Sequence, residues 1–169
     1  MSELILLAGP NGSGKTTLLR KMAAADPAAV LLPTRIPKVK GFTVKEFVST
    51  ALYRKGYPWD DAVLDQLRIL PLRDRDIATL SDGEFQKACI ATALVQRAEK
   101  LLLDEPTAFL DVQSRIEVFG LLRSVADGGV PVWFSSHDIH EALQVCDRVI
   151  ALDAGRQTIM TPDEYGARF

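Results

Sequence analysis

Gly9-Pro10-Asn11-Gly12-Ser13-Gly14-Lys15-Thr16 is the stretch of this sequence best equipped for chemistry. It satisfies G-x-x-x-x-G-K-[ST], follows an apolar run (Leu4 to Ala8) and precedes a helical one (Thr17 to Met22), which is the context the motif requires. Glycines let the backbone turn tightly and aim its N–H groups inward, and the helix start adds its positive dipole end, so the segment forms a nest for phosphates. Asn11, Gly12, Ser13, Gly14, Lys15, Thr16 and the following Thr17 are the candidate contacts, with Lys15 reaching the β/γ-phosphates and the Thr16 hydroxyl ligating Mg²⁺. The competing reading is a plain Gly/Ser turn between strand and helix.

Further along, Leu101-Leu102-Leu103-Asp104-Glu105-Pro106 reads as a buried strand ending in two adjacent carboxylates. Ligands of open α/β folds bind at the carboxyl ends of the strands, so Asp104 is placed to hold Mg²⁺ and Glu105 to orient or deprotonate an attacking water. Acidic residues capping the next helix are the alternative. Leu80-Ser81-Asp82-Gly83-Glu84 is by itself a capping box ahead of a helix running roughly from Phe85 to Arg97, with Ser81 as N-cap and Glu84 three residues on.

These groups need a scaffold, and the remaining sequence supplies one. The apolar runs Leu4–Ala8, Ala29–Leu32, Leu101–Leu103, Val130–Phe134 and Arg148–Leu152 are continuous rather than alternating, as expected of strands covered on both faces. An α/β fold with a mostly parallel sheet follows. Between Gly41 and about Ala98 the apolar residues recur at helical spacing (Val63, Leu64, Leu67; Phe85, Cys89, Leu94), which predicts a helical insertion entered through the loop Pro33–Gly41. The expected organisation is one domain over 1–169, with core segments 1–40 and 99–169 flanking the helical segment 41–98.

The order of these motifs, continued by Phe109-Leu110-Asp111 and Ser135-Ser136-His137-Asp138, resembles the ATP-binding cassette (ABC) ATPases, over nearly the whole chain. Around Ser81–Lys87 and Asp104–Asp111 it looks most like the importers of iron-siderophore, haem and cobalamin type. The resemblance implies a P-loop NTPase with a three-layer α/β/α core. It implies ATP and Mg²⁺ as ligands, and hydrolysis with Glu105 as base and His137 holding the γ-phosphate, the water and Glu105. It further implies a dimer, of two copies or with a paired ABC subunit, in which Ser81 and Gly83 meet the partner's nucleotide and Asp111 lies at the dimer contact. A separate membrane permease would be driven in trans. His140 has no match and is expected to be a surface or packing residue.

Four departures from the family pattern stand out. Thr34 occupies the slot of a glutamine that touches Mg²⁺ and the attacking water; threonine keeps an oxygen ligand for Mg²⁺ but is two bonds shorter, so either a water bridges the gap or hydrolysis and coupling are both weakened. Asp82 replaces a signature glycine and is expected to point outward or cap its helix. Thr92 stands where an arginine is common. Only eight residues precede Gly9, and Thr17–Thr34 is short, so most of the β-subdomain carrying the adenine-stacking aromatic is expected to be missing. Stacking of a base on an aromatic is worth ~1–3 kcal/mol, which would weaken nucleotide binding roughly tenfold to a hundredfold and blur ATP over GTP.

Composition limits the rivals. In 169 residues, 20 Lys+Arg against 22 Asp+Glu leave a net charge of −2, and 47% of residues are hydrophobic, which excludes disorder and a polybasic nucleic-acid binder. No nucleic-acid partner is expected. Two cysteines, Cys89 and Cys146, each in an apolar helix-like stretch, make no disulfide framework and fit a reducing cytoplasm. With no export signal or spanning run, a cytoplasmic protein is expected, its only membrane role a peripheral seat on the inner face of the plasma membrane. Phe42, Phe47, Tyr53, Tyr57 and Trp59 either pack the helical segment or line a groove for a partner. Arg35, Lys38 and Lys40 read as a solvated loop, with contact to a partner or lipid headgroups second. A nucleotide-gated dimerisation switch with little hydrolysis and a soluble ABC enzyme remain as alternatives to the transporter subunit.

Overall fold

The computed structural model describes residues 2–53, 56–153 and 155–168. Its frame is one six-stranded sheet of order β2-β3-β4-β1-β5-β6, built from β1 (Leu4–Ala8), β2 (Ala29–Leu32), β3 (Lys100–Asp104), β4 (Val132–Ser135), β5 (Arg148–Asp153) and β6 (Arg156–Met160). The first five strands pair in parallel and β6 returns antiparallel beside β5. The strands expected from the apolar runs are present, β4 beginning two residues later than Val130. The sixth was not foreseen, because four of its five residues are exposed and only Met160 reaches the core, so it carries no apolar run.

Helices cover both faces. Alternate side chains of β1 serve different layers: Ile5 and Leu7 pack with Leu19 of α1 (Lys15–Ala25) and with Leu102, Ile150 and Leu152. Leu4, Leu6 and Ala8 face the larger core with Phe134, Val132 and residues of α4 (Asp82–Leu94) and α5 (Val112–Asp127). That division explains the continuous runs, since a strand buried on both sides has no polar face. The three-layer α/β/α arrangement is thus observed.

Between β2 and β3 lie α2 (Val44–Thr50), α3 (Ala62–Gln66), two 3₁₀ turns (Leu70–Leu72 and Ile77–Thr79) and α4. Both α2 and α4 start in full capping boxes, Thr43 with Glu46 and Ser81 with Glu84, which supply acceptors for the free amides of a helix start. The aromatics of this segment divide. Phe47 packs on Phe85 and Trp59 joins the core, while Phe42, Tyr53 and Tyr57 are exposed. The chain closes through α6 (Ile139–Leu143), β5, β6 and α7 (Pro162–Gly166). Cys146 lies after α6 and outside any helix, correcting the helix-like reading; it is nevertheless buried, as is Cys89, and both thiols are free. Among the described residues no helix is long and apolar enough to cross a membrane.

Candidate nucleotide site

Because β1 to β4 run parallel, their carboxyl ends meet at one edge of the sheet, and the segments leaving β1, β2, β3 and β4 enclose a cleft of about 310 Å³. Asn11, Gly12, Gly14, Lys15, Thr16, Thr17, Thr34, Asp104, Glu105 and His137 line it. The turn after β1 depends on glycine in two ways. A Cβ at Gly9 would run into the carbonyl oxygen of Leu152, and Gly14, the residue before α1, has φ +101°, which L side chains rarely adopt.

Lys15, 8% exposed, donates from Nζ to the carbonyl oxygens of Gly9 (2.7 Å) and Pro10 (3.2 Å). A nearly buried ammonium held by carbonyls rather than a carboxylate is an electropositive point suited to an anion. Ser13 Oγ is buried and, among the described residues, makes no hydrogen bond. The loop therefore fits a phosphate group.

Asp104, 3% exposed, anchors the opposite wall. Its Oδ2 accepts from Thr16 Oγ1 at 2.8 Å and from Thr34 Oγ1 at 2.7 Å, and its Oδ1 accepts from Ser135 Oγ at 2.8 Å. Carboxylate and hydroxyl oxygens clustered beside a phosphate nest are the hard donors that suit Mg²⁺, a cation that prefers one or two carboxylates plus substrate phosphates to an all-protein cage. Thr34, at the start of the loop leaving β2, thus reaches Asp104 despite being shorter than glutamine.

Glu105 follows with φ +54°, a left-handed conformation costly for a non-glycine residue. Its amide donates to Ser135 Oγ at 3.0 Å, and its Oε2 accepts from the His137 amide at 3.1 Å, while His137 Nε2 stands 3.4 Å from Oε1. Burial raises the Glu105 carboxyl above the ordinary glutamate value, against the lowering influence of His137 and Lys15. A carboxyl shifted this way is a stronger base toward water.

The signature residues lie elsewhere on the monomer. Ser81 and Gly83 border a separate cleft with Lys87, Asp111 and Ser114. Ser81 Oγ accepts from the Glu84 amide at 3.1 Å, and Asp111 caps α5 by accepting from the Ser114 amide at 2.9 Å, a bond that heads the causes lowering its pKa. The chain alone thus brings Lys15, Thr16, Thr34, Asp104, Glu105 and His137 together and leaves Ser81, Gly83 and Asp111 apart. His140 is exposed on α6, as expected of a surface residue.

Three contributors escaped the sequence reading. Ser135 bridges Asp104 and the Glu105 amide; its signal is a serine ending an otherwise apolar strand, in register with Asp104. Gln86 is buried in α4 and donates to the Pro106 carbonyl at 3.1 Å, fixing the loop after Glu105. Lys38 is no solvated loop residue: its ammonium donates to Leu80 O at 2.9 Å and to Asp82 Oδ1 at 2.8 Å, whereas Arg35 and Lys40 are exposed as expected.

A glycine-rich loop between β1 and α1, an acidic end on β3 and a parallel sheet with β4 between them define a P-loop nucleotide-binding protein. Comparison with known proteins makes the class specific. An ABC transporter family model matches residues 37–108. The chain is 37% identical over 172 residues to an aliphatic sulfonates import ATP-binding protein of Nocardia farcinica, covering 94% of this chain and 70% of that one. It is 32% identical over 210 residues to a hemin import ATP-binding protein of Rhodopseudomonas palustris strain HaA2, covering 99% and 80%. In fold it matches a solved metal-chelate type ABC transporter in an inward-facing conformation, with TM-score 0.83 at 21% identity over 96% of this chain and 73% of that one. The chain belongs to the ATP-binding proteins of the ABC transporter family.

Proposed function

We propose that this chain binds ATP with Mg²⁺ and hydrolyses it as one half of a nucleotide-sandwich dimer that drives a separate membrane permease in import. The observation that carries the reading is the convergence of Lys15, Asp104 and Glu105 on one cleft, each in an environment suited to its task. Lys15 and the loop amides neutralise the β/γ-phosphates. Thr16 and Asp104, with Thr34 beside them, would hold the Mg²⁺ that offsets charge on the phosphate oxygens. Water attacks the γ-phosphorus as the bond to the β-bridging oxygen breaks; ADP leaves with the electron pair, and Glu105 takes the water's proton. His137, beside Glu105, holds the carboxylate and the γ-phosphate side of the cleft.

Ser81 and Gly83 border a cleft of their own, away from the phosphate loop. The sandwich reading gives them a purpose: the start of α4 carries partial positive charge and would face the γ-phosphate bound to a second subunit, with Asp111 at the same contact. On this reading residues 1–169 act as one unit, segments 1–40 and 99–169 holding nucleotide and 41–98 presenting the signature helix. The subunit works in the cytoplasm against the inner membrane face. The import named for the relatives, of aliphatic sulfonates and of hemin, nominates small nutrients as cargo.

A second reading is favoured by Thr34, whose hydroxyl is bound to Asp104 Oδ2: nucleotide-gated dimerisation with slow turnover. One experiment separates the two. Phosphate release and ATP-dependent dimer formation are measured for the wild type and Glu105→Gln. Turnover that vanishes in the variant while dimers accumulate supports the ATPase; wild-type dimers stable in ATP without phosphate release support the switch, and absence of ATP binding overturns both.

A further inference from the structure

Asp82 sets a problem for a signature segment. It lies between Ser81 and Gly83, at the start of a helix whose first turn would receive a phosphate, and its side chain is 73% exposed. An acid in a first helical turn favours the helix but repels an incoming anion. The residues flanking it border one cleft: Ser81 and Gly83 line it with Lys87 and Asp111. Asp82 borders a different one, of about 340 Å³, with Thr34, Lys38, Phe85 and Phe109. In that second cleft Lys38 Nζ sits 2.8 Å from Asp82 Oδ1, donates to Leu80 O at 2.9 Å and lies 5.4 Å from the centre of the Phe85 ring.

We propose that Lys38 is a positioning residue of the signature helix: it holds the Asp82 carboxylate on the far side of α4 from Ser81 and Gly83 and neutralises it, so that the helix start can accept a partner's phosphate. The ammonium binds the residue before the N-cap and the residue after it, while the capping box of Ser81 and Glu84 sets the helix start itself. The same loop is pinned at its other end, where Thr34 donates to Asp104 Oδ2. Residues 34–38 thus form a strap between the carboxylate of the chain's own nucleotide cleft and the segment it offers to a second subunit. This proposal rests on the sandwich-dimer reading.

The test uses the Glu105→Gln chain as parent, so that ATP is bound and not consumed, and measures the Mg-ATP-dependent dimer dissociation constant by sedimentation. Lys38→Met is expected to raise that constant about three- to fivefold, the reach of one exposed ion pair. Asp82→Gly placed in the Lys38→Met background restores the parental constant, because the carboxylate that needed neutralising is gone. A merely structural Lys38 would leave the double variant as weak as the single one, and that result overturns the proposal. Lys38→Arg, which keeps the charge, retains parental dimerisation. Asp82→Asn removes the carboxylate without touching Lys38 and leaves dimerisation unweakened; weakening there overturns the proposal whether or not Lys38→Met folds. A parent that stays monomeric in Mg-ATP overturns the sandwich reading and this proposal together, whereas a dimerising parent matched by Lys38→Met overturns this proposal alone.

Discussion

At Glu105 three circumstances act on one side chain: a left-handed backbone at φ +54°, burial of the carboxyl, and the neighbouring Asp104. Burial, the largest influence, raises the pKa, so the folded protein keeps this proton to higher pH than the unfolded chain does. The stability linked to that proton is complete below the unfolded glutamate value and is lost as pH rises through the folded one. Glu105→Gln is therefore expected to raise the melting temperature at pH 8 by more than at pH 4, while lowering turnover by at least about 10²-fold, the scale of general-base catalysis. Melting curves at the two pH values and a phosphate-release assay check both halves. Equal melting shifts at both pH values would remove the buried-charge account. Thr34 gives a second expectation at this scale. Its hydroxyl and that of Thr16 share Asp104 Oδ2, so Thr34→Val frees one lone pair of that oxygen and shifts the Mg²⁺ concentration for half-maximal turnover, whereas Thr34→Gln, matching the family residue, raises turnover. A magnesium titration that is unchanged by Thr34→Val would take Thr34 out of the site.

At the scale of elements, α4 does two jobs from one sequence. The capping box at Ser81 and Glu84 is a local device, legible from the spacing alone, and it forms as the spacing requires. Ser81→Ala is expected to cost ~1 kcal/mol of stability through the lost cap, seen as a lowered denaturant midpoint with an unchanged slope. The helix also carries Gln86 inward to the Pro106 carbonyl, a role that no spacing rule shows, because it depends on α4 packing beside the end of β3. Gln86→Leu leaves that carbonyl without its partner at a cost of ~1–3 kcal/mol. If the variant instead matches wild type in denaturant unfolding, the bond is dispensable. Lys38 tells the same lesson from the other side. Three cations with no acid between them read as a solvated loop, and only the return of α4 past residue 38 brings Asp82 within 2.8 Å.

For the whole molecule, the sheet order explains why so much of the site was visible beforehand. Strands buried on both faces are written as apolar runs, and parallel strands put the residues after Ala8, Leu32, Asp104 and Ser135 at one edge. Base recognition is a property at this scale: among the described residues, no Phe, Tyr or Trp lines the nucleotide cleft. ATP and GTP are accordingly expected to bind within about tenfold of each other, since the cleft is lined by the phosphate loop, Thr34, Asp104, Glu105 and His137, groups suited to the triphosphate that the two nucleotides share; competition between the two nucleotides measures it, and a hundredfold preference for ATP would show that another contact reads the base. The two thiols report on the same packing. Burial pushes Cys89 and Cys146 up to about 12, so both are expected to resist alkylation in the native protein and react once it is denatured.

The sequence by itself determined the phosphate loop, the paired carboxylates, the caps and the layered α/β class, because each is set by residue type and short spacing along the chain. Tertiary structure alone decided the sharing of Asp104 by Thr16, Thr34 and Ser135, the seat of Glu105 against His137, and the capture of Asp82 by Lys38. Those contacts join residues 31 to 88 positions apart, and such distances close only when strands register and helices pack, which local spacing does not encode. The exposed edge strand β6 marks the same boundary: it is held by pairing with β5 rather than by an apolar pattern of its own.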